Sequence, residues 1–116
     1  MQKTIRNSVS VSGVGIHTGV TTNMTLKPAE ANTGIKFIRI DLSDKTVITA
    51  DVGNVFSTER STGLNNGKAE INTVEHILAA VVGAEIDNLI IEVDNIEIPI
   101  LDGSSKKFTE LIEKTG

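Results

Sequence analysis

A chain of 116 residues is read as one domain, 1–116, long enough to bury a core unaided, and 39% hydrophobic with 22% charged residues is ordinary for a soluble globular protein. A formal net charge of −4, with a pI near 5.1, argues against a nucleic-acid platform. The absence of cysteine excludes a disulfide framework and a thiolate metal site. The longest apolar run, Ile77 to Ala84, is far too short to span a bilayer, and the opening residues lack a basic-then-apolar signal pattern, so a cytoplasmic location is expected.

In chain order, Val9 and Val11 alternate with serines, the mark of a half-buried strand. Gly13, Gly15 and Gly19 punctuate the next connection, with His17 between the last two. A histidine there is either a plain loop residue or one that lines a site. Val20, Thr22, Met24 and Leu26 then face one way, and Thr21, Asn23, Thr25 and Lys27 the other. Pro28 ends that strand, and Glu30 to Gly34 reads as a turn. Ile35 to Ile40 and Val47 to Val52 are two further strands.

From Asn54 to Asn72 the pattern suggests a ribbon projecting from the main sheet, with Asn65-Asn66-Gly67 as its turn and Ala69 to Ile71 as its return. Val74, Ile77, Leu78 and Val81 form one stripe at helical spacing, predicting a helix to about Val82. At 100° per residue Glu75 lies on the flank of that stripe and His76 on the far side, with Ala79 and Ala80 one turn on. Two readings compete for these residues. Asn72 and Glu75 resemble a capping box, which would leave Glu75 structural and His76 solvated. Alternatively, an acid and an imidazole side by side in the first turn begin a catalytic site.

Leu89 to Val93 is nearly continuous and apolar, the pattern of a strand buried on both faces. Asp94-Asn95 turns the chain and Ile96 to Ile100 is expected to return as a strand, with Pro99 placing it toward an edge. Asp102-Gly103 is a tight structural turn, and Ser104 or Ser105 caps a last helix whose Phe108, Leu111 and Ile112 share a face. These elements predict an α+β fold. It is a two-layer sandwich of a mixed, largely antiparallel sheet with two helices on one face, plus the small β-ribbon insert at 54–72.

Four segments in order carry a resemblance. They are Gly13-Val14-Gly15-Ile16-His17-Thr18-Gly19, Leu26-Lys27-Pro28 with Asn32-Thr33-Gly34, Thr73-Val74-Glu75-His76-Ile77-Leu78-Ala79-Ala80, and Ile98-Pro99-Ile100-Leu101-Asp102-Gly103-Ser104. Together they resemble the N-terminal half of the UDP-3-O-acyl-N-acetylglucosamine deacetylase family, zinc amidases of lipid A biosynthesis in Gram-negative bacteria. The resemblance implies two similar α/β sandwiches whose helix layers pack together around the active site. It implies a general-base role for Glu75 and a Zn2+-ligand role for His76. It also places Ile16 and His17 near the substrate cleft, while Asp102 and Gly103 keep their turn.

A catalytic zinc needs about three protein ligands besides water. In the family the others, and a histidine acting as general acid, come from a C-terminal domain. The expected partners are therefore that domain and UDP-3-O-acyl-N-acetylglucosamine, with no membrane span. The chain is expected to be a half-site, inactive alone. The alternative is a stand-alone, non-enzymatic interaction domain that binds a partner or itself through the exposed helix face. A nucleic-acid-binding α/β sandwich is a third reading, which the acidic balance opposes.

Overall fold

The computed structural model describes residues 2–15, 18–42, 45–50, 55–57, 62–65, 69–99, 101 and 106–114. Its main sheet contains β1 (Val9–Val14), β2 (Thr21–Pro28), β3 (Ile35–Arg39), β4 (Val47–Thr49) and β8 (Leu89–Val93), in the spatial order β1-β2-β8-β3-β4. β8 pairs antiparallel with β2 and parallel with β3, so the sheet is mixed, and its other pairs are antiparallel. A second, three-stranded sheet is built from β5 (Val55–Ser57), β6 (Thr62–Asn65) and β7 (Glu70–Asn72). The helices are α1 (Glu75–Gly83) and α2 (Lys106–Lys114), which pack against each other. This is the expected α+β architecture. None of the described helices is long and apolar enough to cross a membrane.

Register explains the layering. Val11 pairs with Met24, Met24 with Val93, Leu26 with Ile91 and Ile91 with Phe37, so alternate residues of neighbouring strands stack on one face. That face meets Ile77, Ala80 and Val81 of α1 and Phe108 and Ile112 of α2 in one core. The opposite face carries Ser10, Asn23, Thr25, Lys27 and Glu92, and is tied by Ser10–Thr25 and Lys27–Glu92 bonds of 2.9 and 3.1 Å. Because the helices cover only one face, β8 is not buried on both. Leu89, Ile91 and Val93 are buried, whereas Ile90 and Glu92 are half-exposed. Ile90 sits between Lys27 and Lys36 in register, whose aliphatic stems flank it. Val20, expected on the inward face of β2, precedes the strand and is exposed.

Two other expectations change. Residues 96–99 of the expected Ile96 to Ile100 strand do not return along β8, because β2 and β3 already occupy both of its edges, and Ile100 lies outside the described residues. Pro99 also lacks the N–H a ladder would need. The segment crosses to β7 instead: Asn72 N–H donates to the Ile96 carbonyl at 2.7 Å, and Ile98 N–H to the Asn72 carbonyl at 3.1 Å. Pro99 is buried there and packs over Gly13, where any Cβ would come within 2.9 Å of the ring.

Nor does the ribbon project freely. Leu64 and Ile71 are fully buried in the common core. Arg39 of β3 also reaches across, donating through Nη1 to the Glu70 carbonyl at 2.9 Å. Asp41 grips the same guanidinium through both carboxylate oxygens, at 2.9 and 2.6 Å. These hydrogen bonds, with the guanidinium's charge, hold the Asp41 carboxyl below its usual range against a smaller opposing effect of burial.

Candidate functional site

α1 begins directly from β7, with only Thr73 and Val74 between them. So abrupt a turn requires an unusual backbone. Thr73 has φ +64°, a left-handed conformation that a β-branched residue rarely adopts. The capping box expected from Asn72 and Glu75 is absent. Asn72 is paired in β7, and the N-cap residue is Val74, which makes no side-chain cap bond. Glu75 is therefore the first residue of the helix, followed at once by His76, and both are half-buried. His76 is thus not the fully solvated residue of the capping reading. Ala80, expected on the open face, is 2% exposed and belongs to the common core, so the buried stripe of α1 is wider than its spacing predicts.

The left-handed Thr73 is held by Glu97. Thr73 Oγ1 donates to Glu97 Oε2 at 2.7 Å, and both side chains are buried, Glu97 to 1% exposure. A left-handed residue costs about 1–2 kcal/mol and a hydrogen bond contributes about 0.5–1.5 kcal/mol net, so this one bond offsets much of the strain. The other carboxyl oxygen, Oε1, accepts the Thr18 N–H at 3.0 Å. The Glu97 backbone carbonyl accepts the Thr22 hydroxyl at 2.8 Å.

Thr18 belongs to the glycine-punctuated loop after β1. The loop closes on itself through Gly19 N–H to the Gly15 carbonyl at 2.9 Å and Gly15 N–H to the Val20 carbonyl at 3.0 Å. Gly15 is buried against the Glu97 carboxyl, and a Cβ there would collide with Oε1. Glu97 thus joins the ends of two of the four motif segments. Sequence reasoning missed it. The available signal was an acid alone in an otherwise apolar segment, Ile96-Glu97-Ile98-Pro99-Ile100. Ile16, His17, Asp102 and Gly103 lie outside the described residues, as do Ser104 and Ser105.

Among the described residues no three His, Asp or Glu side chains converge as a metal cluster would require. Two cavities lie away from the Glu75–His76 pair. One, of about 310 Å³, is lined by Val11 of β1 and by Leu101, Lys107 and Leu111 near α2. The other, of about 280 Å³, lies among Lys3, Ile5, Gly83, Ile86 and Ile112. On the outer side of α1, Ala79 and Gly83 are exposed and Val82 is 76% exposed.

The sequence profile of the UDP-3-O-acyl N-acetylglycosamine deacetylase family matches residues 2–116. The chain belongs to that family. It is 46% identical over 115 residues to the UDP-3-O-acyl-N-acetylglucosamine deacetylase of Geobacter sp. (strain M21). It is 45% identical to that of Citrifermentans bemidjiense and 44% identical to that of Brucella melitensis biotype 2. Each match covers 99% of this chain but only 38%, 38% and 40% of the respective relative. The chain therefore spans about two fifths of the length of the family's deacetylases.

Proposed function

We propose that residues 1–116 act as the first of two domains in a zinc-dependent deacetylase that hydrolyses the acetamide of UDP-3-O-acyl-N-acetylglucosamine. In this reading Glu75 is the general base and His76 supplies one zinc ligand. The observation that carries the reading is the placement of Glu75 and His76 as consecutive half-buried residues at the mouth of α1, in a chain 46% identical to a deacetylase. A zinc ion held there would supply Lewis acidity to polarise the acetamide carbonyl. The imidazole of His76 fits such an ion, but the described residues do not complete its ligand set, and this reading assigns the remaining donors to the second domain.

The chemistry of this chain is then proton handling. The Glu75 carboxylate takes a proton from the attacking water as its oxygen bonds to the carbonyl carbon. The C–N bond breaks as a proton from the general-acid histidine of the second domain reaches the sugar nitrogen, the amine and acetic acid leave, the acid ionises to acetate, and Glu75 gives its proton to solvent. The outer face of α1, with Ala79, Val82 and Gly83, is the surface the second domain would cover. It also suits self-association of the isolated chain, the non-enzymatic reading. A cytoplasmic location belongs to the same proposal.

The test is zinc content and acetate release in the two-domain protein. Glu75→Gln should keep its zinc and lose about 10²–10⁴-fold in turnover. His76→Ala should lose zinc and activity together. Wild-type turnover in Glu75→Gln would refute the general-base role. In the 116-residue chain alone, little zinc should survive dialysis against metal-free buffer. Near-stoichiometric zinc, lost in His76→Ala, would instead place the full ligand set within this chain or a second copy of it.

A further inference from the structure

We infer that Glu97 is a positioning residue for the Glu75–His76 pair, an inference that rests on the role proposed for that pair. Glu97 lies 22 and 21 positions beyond them and is buried to 1% exposure. Its side chain reaches two segments that the chain alone would leave independent. Oε2 accepts the Thr73 hydroxyl at 2.7 Å and Oε1 accepts the Thr18 N–H at 3.0 Å.

The Thr73 contact matters because of where Thr73 sits. Its φ of +64° sets the direction in which the chain leaves β7, and α1 starts two residues later with Glu75. A rotation at Thr73 would swing the first turn of α1 and both side chains on it. The far end of the helix offers no comparable freedom, since Ile77, Ala80 and Val81 are fixed in the core. The Thr18 contact fixes the loop that Gly15 and Gly19 close. The absence of a Cβ at Gly15 lets the Glu97 carboxyl approach that loop. The Glu97 main chain is anchored as well, through the Thr22 hydroxyl and the adjoining bonds to Asn72. One carboxyl group, held on a rigid segment, therefore sets the first turn of α1 relative to the glycine loop.

The test is NMR on the 116-residue chain. In wild type the Thr73 hydroxyl proton should exchange slowly enough to be observed and should correlate with the Glu97 side-chain carboxyl carbon. The absence of that correlation would overturn the inference without any variant. Thr73→Val removes the hydroxyl at nearly constant shape. It should shift the amide signals of Glu75 and His76 and, across the carboxyl, raise the exchange rate of the Thr18 N–H. Thr73→Ser should restore all three.

Glu97→Gln should stay close to wild type, because its Oε1 can accept from Thr18 while its amide donates to the Thr73 oxygen. Glu97→Ala should reproduce and exceed the Thr73→Val pattern. A residue serving stability alone would lower protection throughout the core and would not link Thr18 to His76. Unchanged Thr18 and His76 signals in Thr73→Val, or failure of Ser to restore them, would refute the positioning role. Neither zinc nor turnover enters this measurement, so its failure counts against Glu97, and failure of the zinc and turnover assays counts against the Glu75–His76 reading.

Discussion

α1 and α2 have nine residues each and pack against the same core, yet they present different outer surfaces. α2 buries Phe108 and Ile112 and turns Lys106, Lys107, Glu113 and Lys114 outward, so its solvent side is already finished. α1 buries Ile77, Ala80 and Val81 and leaves Ala79, Val82 and Gly83 outside, beside the half-buried Glu75 and His76. A covering helix needs a polar back; a helix with a small, apolar back can receive a neighbour. The difference separates the part of the domain that ends at water from the part that carries the proposed Glu75–His76 site.

The comparison is broken most severely at Phe108. This ring is 1% exposed and is one of only two buried anchors of α2. Phe108→Ala should cost about 3–5 kcal/mol, the range for deleting a buried aromatic. With so few anchors, α2 should detach before α1. Denaturant titration should show the loss, and amide exchange should show α2 unprotected while Ile77 and Val81 keep their protection. Equal loss of protection in both helices would mean that the pair is a single cooperative unit.

How far the sequence foretold this arrangement depends on how local each cause is. The alternation of Thr22, Met24 and Leu26, and the spacing of Phe108 and Ile112, report burial within one element, and both were readable. The closed edges of β8 were not, because they depend on which strands flank it, and the run Leu89 to Val93 looks the same under one cover or two. The Glu75–His76 pair was visible as a motif, but its support was hidden. Glu97 lies 24 positions from Thr73 and 79 from Thr18, and no periodicity spans such distances. Thr73 was equally opaque, since a β-branched residue is a poor sequence signal for a left-handed turn.

A smaller effect is expected at the end of α1, where the left-handed position falls on Glu85 and not on the nearby Gly83. The Glu85 N–H donates to the Val82 carbonyl and the Ile86 N–H to the Val81 carbonyl, with Glu85 itself at φ +59°. This is a Schellman ending with an acid where glycine is favoured. Glu85→Gly relieves the left-handed strain and removes a negative charge from the negative end of the helix dipole. The entropy of glycine in the unfolded chain offsets part of that gain. A net stabilisation of about 1 kcal/mol is expected, read as a higher denaturant midpoint with an unchanged slope. A loss of stability would mean that the Glu85 side chain makes a contact worth more than the strain.

The smallest stability change, and the sharpest form of the comparison, is expected at Val82. Its neighbour Val81 is 1% exposed, whereas Val82 is 76% exposed on the outer face of α1. Val82→Lys should leave the stability of the 116-residue chain within about 0.5 kcal/mol of wild type, as for a surface site with no special role. Lysine is at least as good a helix former as valine, and its ammonium would stand in water near the helix C-terminus, where the dipole favours it. The folding of this chain therefore gives no reason for an apolar residue there. Binding would give one. If another domain or a second copy covers this face, the same substitution must bury an ammonium or hold the two surfaces apart, and association should weaken while the fold is unchanged. Sedimentation of the chain alone, and of the chain with the proposed second domain added, measures that difference. Equal association in wild type and Val82→Lys would move the docking surface away from α1.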